Sequence, residues 1–402
     1  MTGSQDSSAR HGNALRGRRT GLKPETLAAT VGVAADRSGA VAPPLHLSST
    51  FAFRGLGKPN EHEYSRTSNP TRDTLGEAIA ALEEGAGAIV TSSGMAAINL
   101  ALYAAKPGDL VVAPHDCYGG TYRLLSMRSE AGHFDVQYVD MGNSAALDAA
   151  LARRPAIVFI ETPSNPLLRV TDIATVAAKS RAAGSLSVVD NTFLSPALQR
   201  PILLGADLVV HSTTKYLNGH SDVISGAIVA AETTQMEWLQ SWANATGTGG
   251  APFDSYLALR GIRTLFVRTA RQEETARSVA AFLSDHPGIA AVNYPGLTSH
   301  PQHAVAKKQQ TGFGSMLSFR VAGGDESLRR LVATLRVFCL AESLGGVESL
   351  VAHPATMTHA GMSTEARCAA GVTDDLLRLS IGLEHPDDLI GDLACALETC
   401  AG

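Results

Sequence analysis

Between Gly85 and Ala231, short apolar runs alternate with Ala-rich helical patterns, and this alternation limits the possible folds more than any other feature of the chain. The runs GAIVT (87–91), LVVAP (110–114), FDVQYV (134–139), AIVFIE (156–161), SLSVVD (185–190), DLVVHS (207–212) and ISGAIVAA (224–231) are too short for helices and read as buried strands. Between them, MAAINLALYAA (95–105), SAALDAALARR (144–154) and TDIATVAAKSRAAG (171–184) carry apolar residues at helical spacing. Strand and helix in turn predict an α/β layer built on a mainly parallel sheet. In such sheets ligands lie beyond the carboxyl ends of the strands, which is where the chemistry is sought.

After Pro252 the pattern changes. A long helical stretch from Phe253 to Asp285 leads to fewer strands, GSMLSFRV (314–321) and LLRLSIGL (376–383), each near a helix such as ESLRRLVATLR (326–336). This predicts a smaller C-terminal α+β domain. The first 20 or so residues, rich in Ser, Gly and Arg, read as a mobile tail with a faint likeness to an organellar transit peptide. No apolar run follows the basic stretch from Arg16 to Lys23, so a secretory leader is not expected. With Pro43, Pro44 and Pro59, the rest of residues 1–62 reads as an extended arm that must pack on something else. The expected division is therefore 1–62, 63–270 and 271–402.

Composition removes several function classes. No run approaches the roughly 20 apolar residues of a membrane span. Lys and Arg total 33 against 38 Asp and Glu, which argues against nucleic acid as a partner. The five cysteines, Cys117, Cys339, Cys368, Cys395 and Cys400, form no CxxC pair and point to free thiols in a reducing cytoplasm. The pairs His300/His303 and His353/His359 lack accompanying ligands at metal-type spacing, so no metal is expected. GxGxxG, the nicotinamide fingerprint, is absent.

Three strand ends carry candidate chemistry. SVVD ends in Asp190, and DLVVHS leads into Thr213-Thr214-Lys215. Alone, the first reads as a cap or turn residue and the second as a solvated lysine. On neighbouring parallel strands, however, they place an acid and an amine at one sheet edge. TSSGMAAINLAL (91–102) is a strand, a turn and a helix start, whose N–H groups at Gly94 and Met95 suit a phosphate. Phosphate cup, carboxylate and amine in one crevice match the needs of pyridoxal phosphate: an anchor, a partner for the ring nitrogen and a Schiff-base nucleophile. Tyr118, after LVVAP, suits an aromatic plate over the ring, or simple packing.

The segments YSRTSNPTR (64–72), SSGMAAI (92–98), HDCYGGTYRLL (115–125), ETPSNPLLRVTDI (161–173), VVDNTFLSPALQ (188–199), HSTTKYLNGHSDV (211–223), AESLGGVESL (341–350) and LLRLSIGLEHPDDL (376–389) together resemble the trans-sulfuration family of pyridoxal-phosphate enzymes. The likeness runs unbroken over roughly residues 22–398. It implies the aminotransferase-type fold (fold type I): a large domain with a mainly parallel, mixed seven-stranded sheet flanked by helices, and a smaller C-terminal α+β domain. It also implies a cytoplasmic homotetramer of two active dimers, the arm touching a neighbouring subunit.

By the same resemblance, Lys215 matches the Schiff-base lysine, Asp190 the ring-nitrogen partner and Tyr118 the stacked aromatic. Gly94, Met95, Ser212 and Thr214 match the phosphate cup, which Tyr64 and Arg66 reach from the adjacent subunit. Asn165 and Thr192 match polar groups around the cofactor, and Arg378 with Ser343 and Asn165 the clamp on the substrate α-carboxylate. A guanidinium suits that clamp because it binds carboxylate through two parallel hydrogen bonds. Glu63, Arg123 and Glu342 are candidates for the distal ends of an amino-acid substrate, or for structural ion pairs. Ser68 departs from the family pattern, where glycine is commoner. The implied reaction is γ-replacement, joining L-cysteine to an O-acylhomoserine, O-succinyl-L-homoserine first among them, to give L-cystathionine in methionine biosynthesis. α,γ-Elimination of cystathionine is the alternative, and a non-catalytic phosphate-binding protein is a reading of a different class.

Overall fold

The computed structural model describes residues 21–33 and 38–399; the expected N-terminal tail lies outside them. All seven expected strands of the first sheet form: β1 Gly87–Thr91, β2 Leu110–Pro114, β3 Asp135–Val139, β4 Ile157–Glu161, β5 Leu186–Asp190, β6 Leu208–His211 and β7 Gly226–Ala230. Their spatial order is β1-β7-β6-β5-β4-β2-β3. The run from β6 to β3 is parallel, while β7 pairs antiparallel with both β6 and β1. This is the mixed, mainly parallel sheet of the fold type I architecture.

Alternation along each strand feeds two cores. Val189 and Val209 face one side with Leu75, Ile79 and Leu82 of the helix Pro70–Glu83. Val188 and Val210 face the other with Ala97, Ile98 and Leu100 of Gly94–Ala101. Both faces are covered, which is why the strands read as unbroken apolar runs.

A second sheet follows: β8 Ile289–Asn293, β9 Met316–Val321, β10 Cys339–Leu340, β11 Leu350–Ala352 and β12 Leu376–Ser380, in the order β10-β11-β12-β9-β8. Leu317, Phe319, Leu377 and Leu379 bury one face against Leu283, Leu331 and Leu393 of the helices Leu265–Asp285, Gly324–Thr334 and Pro386–Glu398. Arg378, between two of those leucines, therefore belongs to the opposite face.

Two local expectations are corrected. The helical stretch 253–285 is two helices, Pro252–Ile262 and Leu265–Asp285. Gly261 lies so close to Asn218 that an added Cβ would be 2.1 Å from its carbonyl oxygen, and Arg268 takes up the Gly261 carbonyl at 2.9 Å. The break thus keeps its backbone satisfied. The arm is not wholly extended, since it contains the helix Pro24–Thr30, which buries Ala28 in the first core. Among the described residues no helix is long and apolar enough to cross a membrane. Cys117, Cys339, Cys368 and Cys395 are free thiols.

Candidate active site

Parallel register brings the acidic ends together. Asp190 closes β5 beside Glu161, which closes β4, and its other neighbour is Val210 of β6. The Asp190 carboxylate accepts the Thr192 N–H at 3.0 Å, and the Thr192 hydroxyl accepts the Ser212 N–H at 2.9 Å. Burial pushes the Asp190 carboxyl up, against the bonds from Thr192 and the field of His211. A carboxylate this deep calls for a cationic partner.

Lys215 follows β6 and donates from Nζ to the Ser343 hydroxyl at 2.7 Å. Burial foremost, then the charge of Arg378, lowers its amine to about 8, against the pull of Glu342. An ordinary lysine is almost wholly protonated at that pH; this one is half neutral and nucleophilic. In the cofactor-free chain, capture of the pyridoxal phosphate aldehyde is expected to quicken as pH rises through about 8 and to level above it. Stopped-flow absorbance over a pH series checks this, and a rate still climbing toward pH 10.5 would remove the argument for a perturbed amine.

Ser343 joins the amine to the guanidinium. Held at φ 94°, a left-handed conformation few side chains adopt, it turns its carbonyl to Arg378 Nη2 at 2.8 Å. Arg378 Nη1 donates to Asn165 Oδ1 at 3.0 Å. Both partners are neutral oxygens, and Nε–H has none among the described residues. The side chain is 2% exposed, and burial lowers its pKa to about 10. A buried guanidinium with a vacant donor edge fits the carboxylate of an amino acid.

The phosphate end is built on Gly94–Ala101. The Ser93 hydroxyl caps the Ala96 N–H at 3.1 Å, so the Gly94 and Met95 N–H groups remain for a ligand at the positive end of the helix. Ser212 closes against this turn, where a Cβ on Gly94 would stand 2.7 Å from the Ser212 Cβ. Gly226 presses from below, its own Cβ position 2.2 Å from the Ser93 carbonyl oxygen. Thr214 is anchored by three bonds with Ser225, two through its hydroxyl at 3.1 and 3.0 Å and one from its N–H at 3.2 Å.

Glu161 is the member that sequence reasoning missed. It accepts the Tyr118 N–H at 2.8 Å on Oε2 and the Asn165 N–H at 3.0 Å on Oε1. One buried carboxylate therefore sets both the aromatic and the amide that holds Arg378. Burial, then the proximity of Asp190, pushes its carboxyl well above the usual range, and the two N–H bonds oppose that. The Tyr118 ring lies over Gly120, where a Cβ would stand 2.5 Å from ring carbon Cε1. His359, set aside as a metal ligand, donates instead from Nε2 to the Asn165 carbonyl at 3.0 Å, its pKa driven to about 4 by burial. Glu161→Gln turns one acceptor into a donor facing an N–H. It is expected to lower kcat/KM about tenfold with the fold retained, checked by steady-state rates and circular dichroism.

The remaining candidates lie at the rim or away from it. Arg123 and Glu342 are exposed, and their charges reach Tyr118; Glu342 also reaches Lys215 and Arg378. Glu63, Tyr64 and Arg66 are exposed on the loop after the arm. Arg66 donates to the Asn244 carbonyl at 2.7 Å and its side-chain oxygen at 2.8 Å, so this loop is not drawn to Lys215 of its own chain. Ser68 lies outside the left-handed region and its hydroxyl pairs with His62 Nδ1 at 3.0 Å, so a side chain there is unstrained.

The donor set fits pyridoxal phosphate: a half-neutral amine, a half-buried acid awaiting a cation, and free N–H groups at a helix start. Comparison with known proteins agrees. Residues 25–398 match the family described as Cys/Met metabolism PLP-dependent enzyme. The chain is 52% identical over 373 residues to cystathionine gamma-synthase of Escherichia coli (strain K12), covering 92% of this chain and 97% of that one. It is 42% identical over 378 residues to cystathionine gamma-lyase of Bacillus subtilis (strain 168), covering 94% and 100%. The crystal structure of cystathionine gamma synthase from Xanthomonas oryzae pv. oryzae in complex with cystathionine superposes with a TM-score of 0.94 at 53% identity, covering 95% of this chain and 99% of that one. A match along nearly the whole length, on a site with this donor set, means that the chain belongs to the Cys/Met metabolism family of pyridoxal-phosphate-dependent enzymes.

Proposed function

We propose that this chain carries out γ-replacement on an O-acylhomoserine, with O-succinyl-L-homoserine the first candidate, joining it to L-cysteine to give L-cystathionine in methionine biosynthesis. The observation that carries this reading is the junction at Ser343, where the Lys215 amine and the Arg378 guanidinium meet through one residue. An α-carboxylate on Arg378 sets the Cα of an amino acid beside Nζ. The identity to relatives named cystathionine gamma-synthase favours replacement over elimination.

When bound, pyridoxal phosphate supplies an electron sink that makes the protons on Cα and Cβ removable. The chain's own residues do the rest. Asp190 would partner the ring nitrogen, and the Gly94 and Met95 N–H groups with Ser212 and Thr214 would hold the phosphate. Lys215 Nζ, once its amine is free, would take the Cα proton and move it onward as general base and then acid. Tyr118 would cover the ring and shield the reacting carbons from water. The Cγ–O bond breaks, the acyl carboxylate leaves, and the cysteine sulfur forms the new bond to Cγ.

The relative named cystathionine gamma-lyase, equally well covered, supports a second reading on the same scaffold: elimination of cystathionine to cysteine, 2-oxobutyrate and ammonia. Rates with cysteine plus each of the succinyl, acetyl and phosphate esters, beside cystathionine alone, separate the two. Faster consumption of cystathionine alone would assign elimination instead.

We further propose a homotetramer of two active dimers in the cytoplasm. Leu47, Phe53 and Leu56 on the arm are exposed apolar side chains, which supports a neighbouring copy covering them, and Tyr64 and Arg66 would then serve that copy's phosphate. The free thiols suit a reducing compartment.

A further inference from the structure

Behind Asp190, on the face of the sheet away from the site, lies a buried polar network that the reaction as derived does not use. Alternation places Asp190 with Val188 on one face and His211 with Val209 on the other. His211 Nε2 donates to Glu83 Oε1 at 2.8 Å, and Asn191 Nδ2 donates to the same oxygen at 2.8 Å. Glu83 and Asn191 are 0% exposed, and His211 is 1% exposed. Glu83 Oε2 has no partner among the described residues. Asn191 in turn exchanges bonds with Gln199, which accepts from Gln309 at 3.1 Å and Gln310 at 3.3 Å.

A carboxylate with one empty oxygen in an apolar core is expensive to keep, and a packed apolar side chain would serve the fold at least as well. Its location suggests why it is there. Asn191 directly follows Asp190, and its N–H donates to the Val210 carbonyl, so the network grips the strand end that presents Asp190. Across the same strand end, Glu161 sets a second acid beside Asp190, and the Asp190 charge helps to push the Glu161 carboxyl up. His211 is the basic group whose field favours that charge.

We propose that Glu83 and His211 are positioning residues for Asp190, holding its strand end and keeping it in the ionised form that the ring nitrogen requires. This rests on Asp190 being the ring-nitrogen partner. Loss of the pair would leave the ring nitrogen less positive, so the imine formed on Lys215 would hold its proton more tightly.

The test uses the cofactor-loaded enzyme and the variants Glu83→Gln and His211→Gln, both of which retain hydrogen-bonding groups. The first readout is the pH midpoint at which the visible band of the Lys215-bound cofactor changes form. The second is the dissociation constant for pyridoxal phosphate, and the third is the melting temperature of the cofactor-free chain. The midpoint is expected to rise by roughly half a unit in each variant and cofactor binding to weaken about tenfold, with the double variant no worse than either single one. A lower melting temperature with an unmoved midpoint would overturn the proposal, as would failure of both variants to fold, since the pair would then serve only the core. The unaltered chain guards the underlying reading. If it forms no lysine-bound cofactor band, the cofactor reading itself fails; if it does and the variants titrate alike, only this proposal fails.

Discussion

Lys215→Ala is expected to lower turnover at least about ten-thousandfold while the chain stays folded. Two proposed roles vanish together, because Nζ would both capture the cofactor and move the substrate protons. The phosphate cup and Asp190 are untouched, so cofactor still binds, now without a covalent bond. Stability should hold or rise. In the fold the amine titrates near 8, against 10.5 for an ordinary lysine, so below pH 8 the native state carries a cost of about 3 kcal/mol, from burial first and then from the Arg378 charge. That cost fades between about pH 8 and 10.5, as the folded-state amine gives up its proton before the unfolded one does. Alanine removes it, and loses the bond to Ser343 and some methylene packing in exchange. Steady-state assays, thermal melts at two pH values and mass analysis after borohydride reduction check each part. A variant working within tenfold of the unaltered rate would place the chemistry on another residue.

Arg378→Lys is expected to raise KM for the homoserine ester about a hundredfold, or about 2.8 kcal/mol, with a smaller change in kcat. The charge survives but the geometry does not. An ammonium cannot satisfy Asn165 Oδ1, the Ser343 carbonyl and a substrate carboxylate from one plane, and any it abandons is left buried. The Ser343 carbonyl sits in a strained turn that also carries the hydroxyl partner of Lys215, so loss of the guanidinium also loosens the amine. Initial rates over a range of ester concentrations measure the split. An unchanged KM would mean that the carboxylate binds elsewhere.

The sheet was readable because buried parallel strands leave a plain record. SVVD and DLVVHS end within one residue of β5 and β6, and the register sets Asp190 beside Val210, two residues before Ser212. Arg378 was readable for a related reason, being a charge inside the apolar run LLRLSIGL. Glu161 was not. It closes AIVFIE as Asp190 closes SVVD, but its work is to accept backbone N–H groups from Tyr118 and Asn165, and a backbone donor leaves no mark on residue identity. Glu83 escaped notice because it lies in a helix where glutamate is ordinary, and only the packing shows it to be buried. The break after Ile262 was hidden likewise, since Gly261 is needed for its contact with Asn218 and not for any local turn signal.

The glycine contacts around the phosphate turn bear on how an ancestral scaffold like this one can diversify. Gly226 abuts the Ser93 main chain and Gly94 abuts the Cβ and Cα of Ser212, and even one methyl group has nowhere to go. That half of the crevice cannot be retuned by stepwise substitution and is inherited whole or lost. The opposite lip is open to change: Arg123 and Glu342 are exposed there, and through their charges on Tyr118, and those of Glu342 on Lys215 and Arg378, an exchange at either can alter the site.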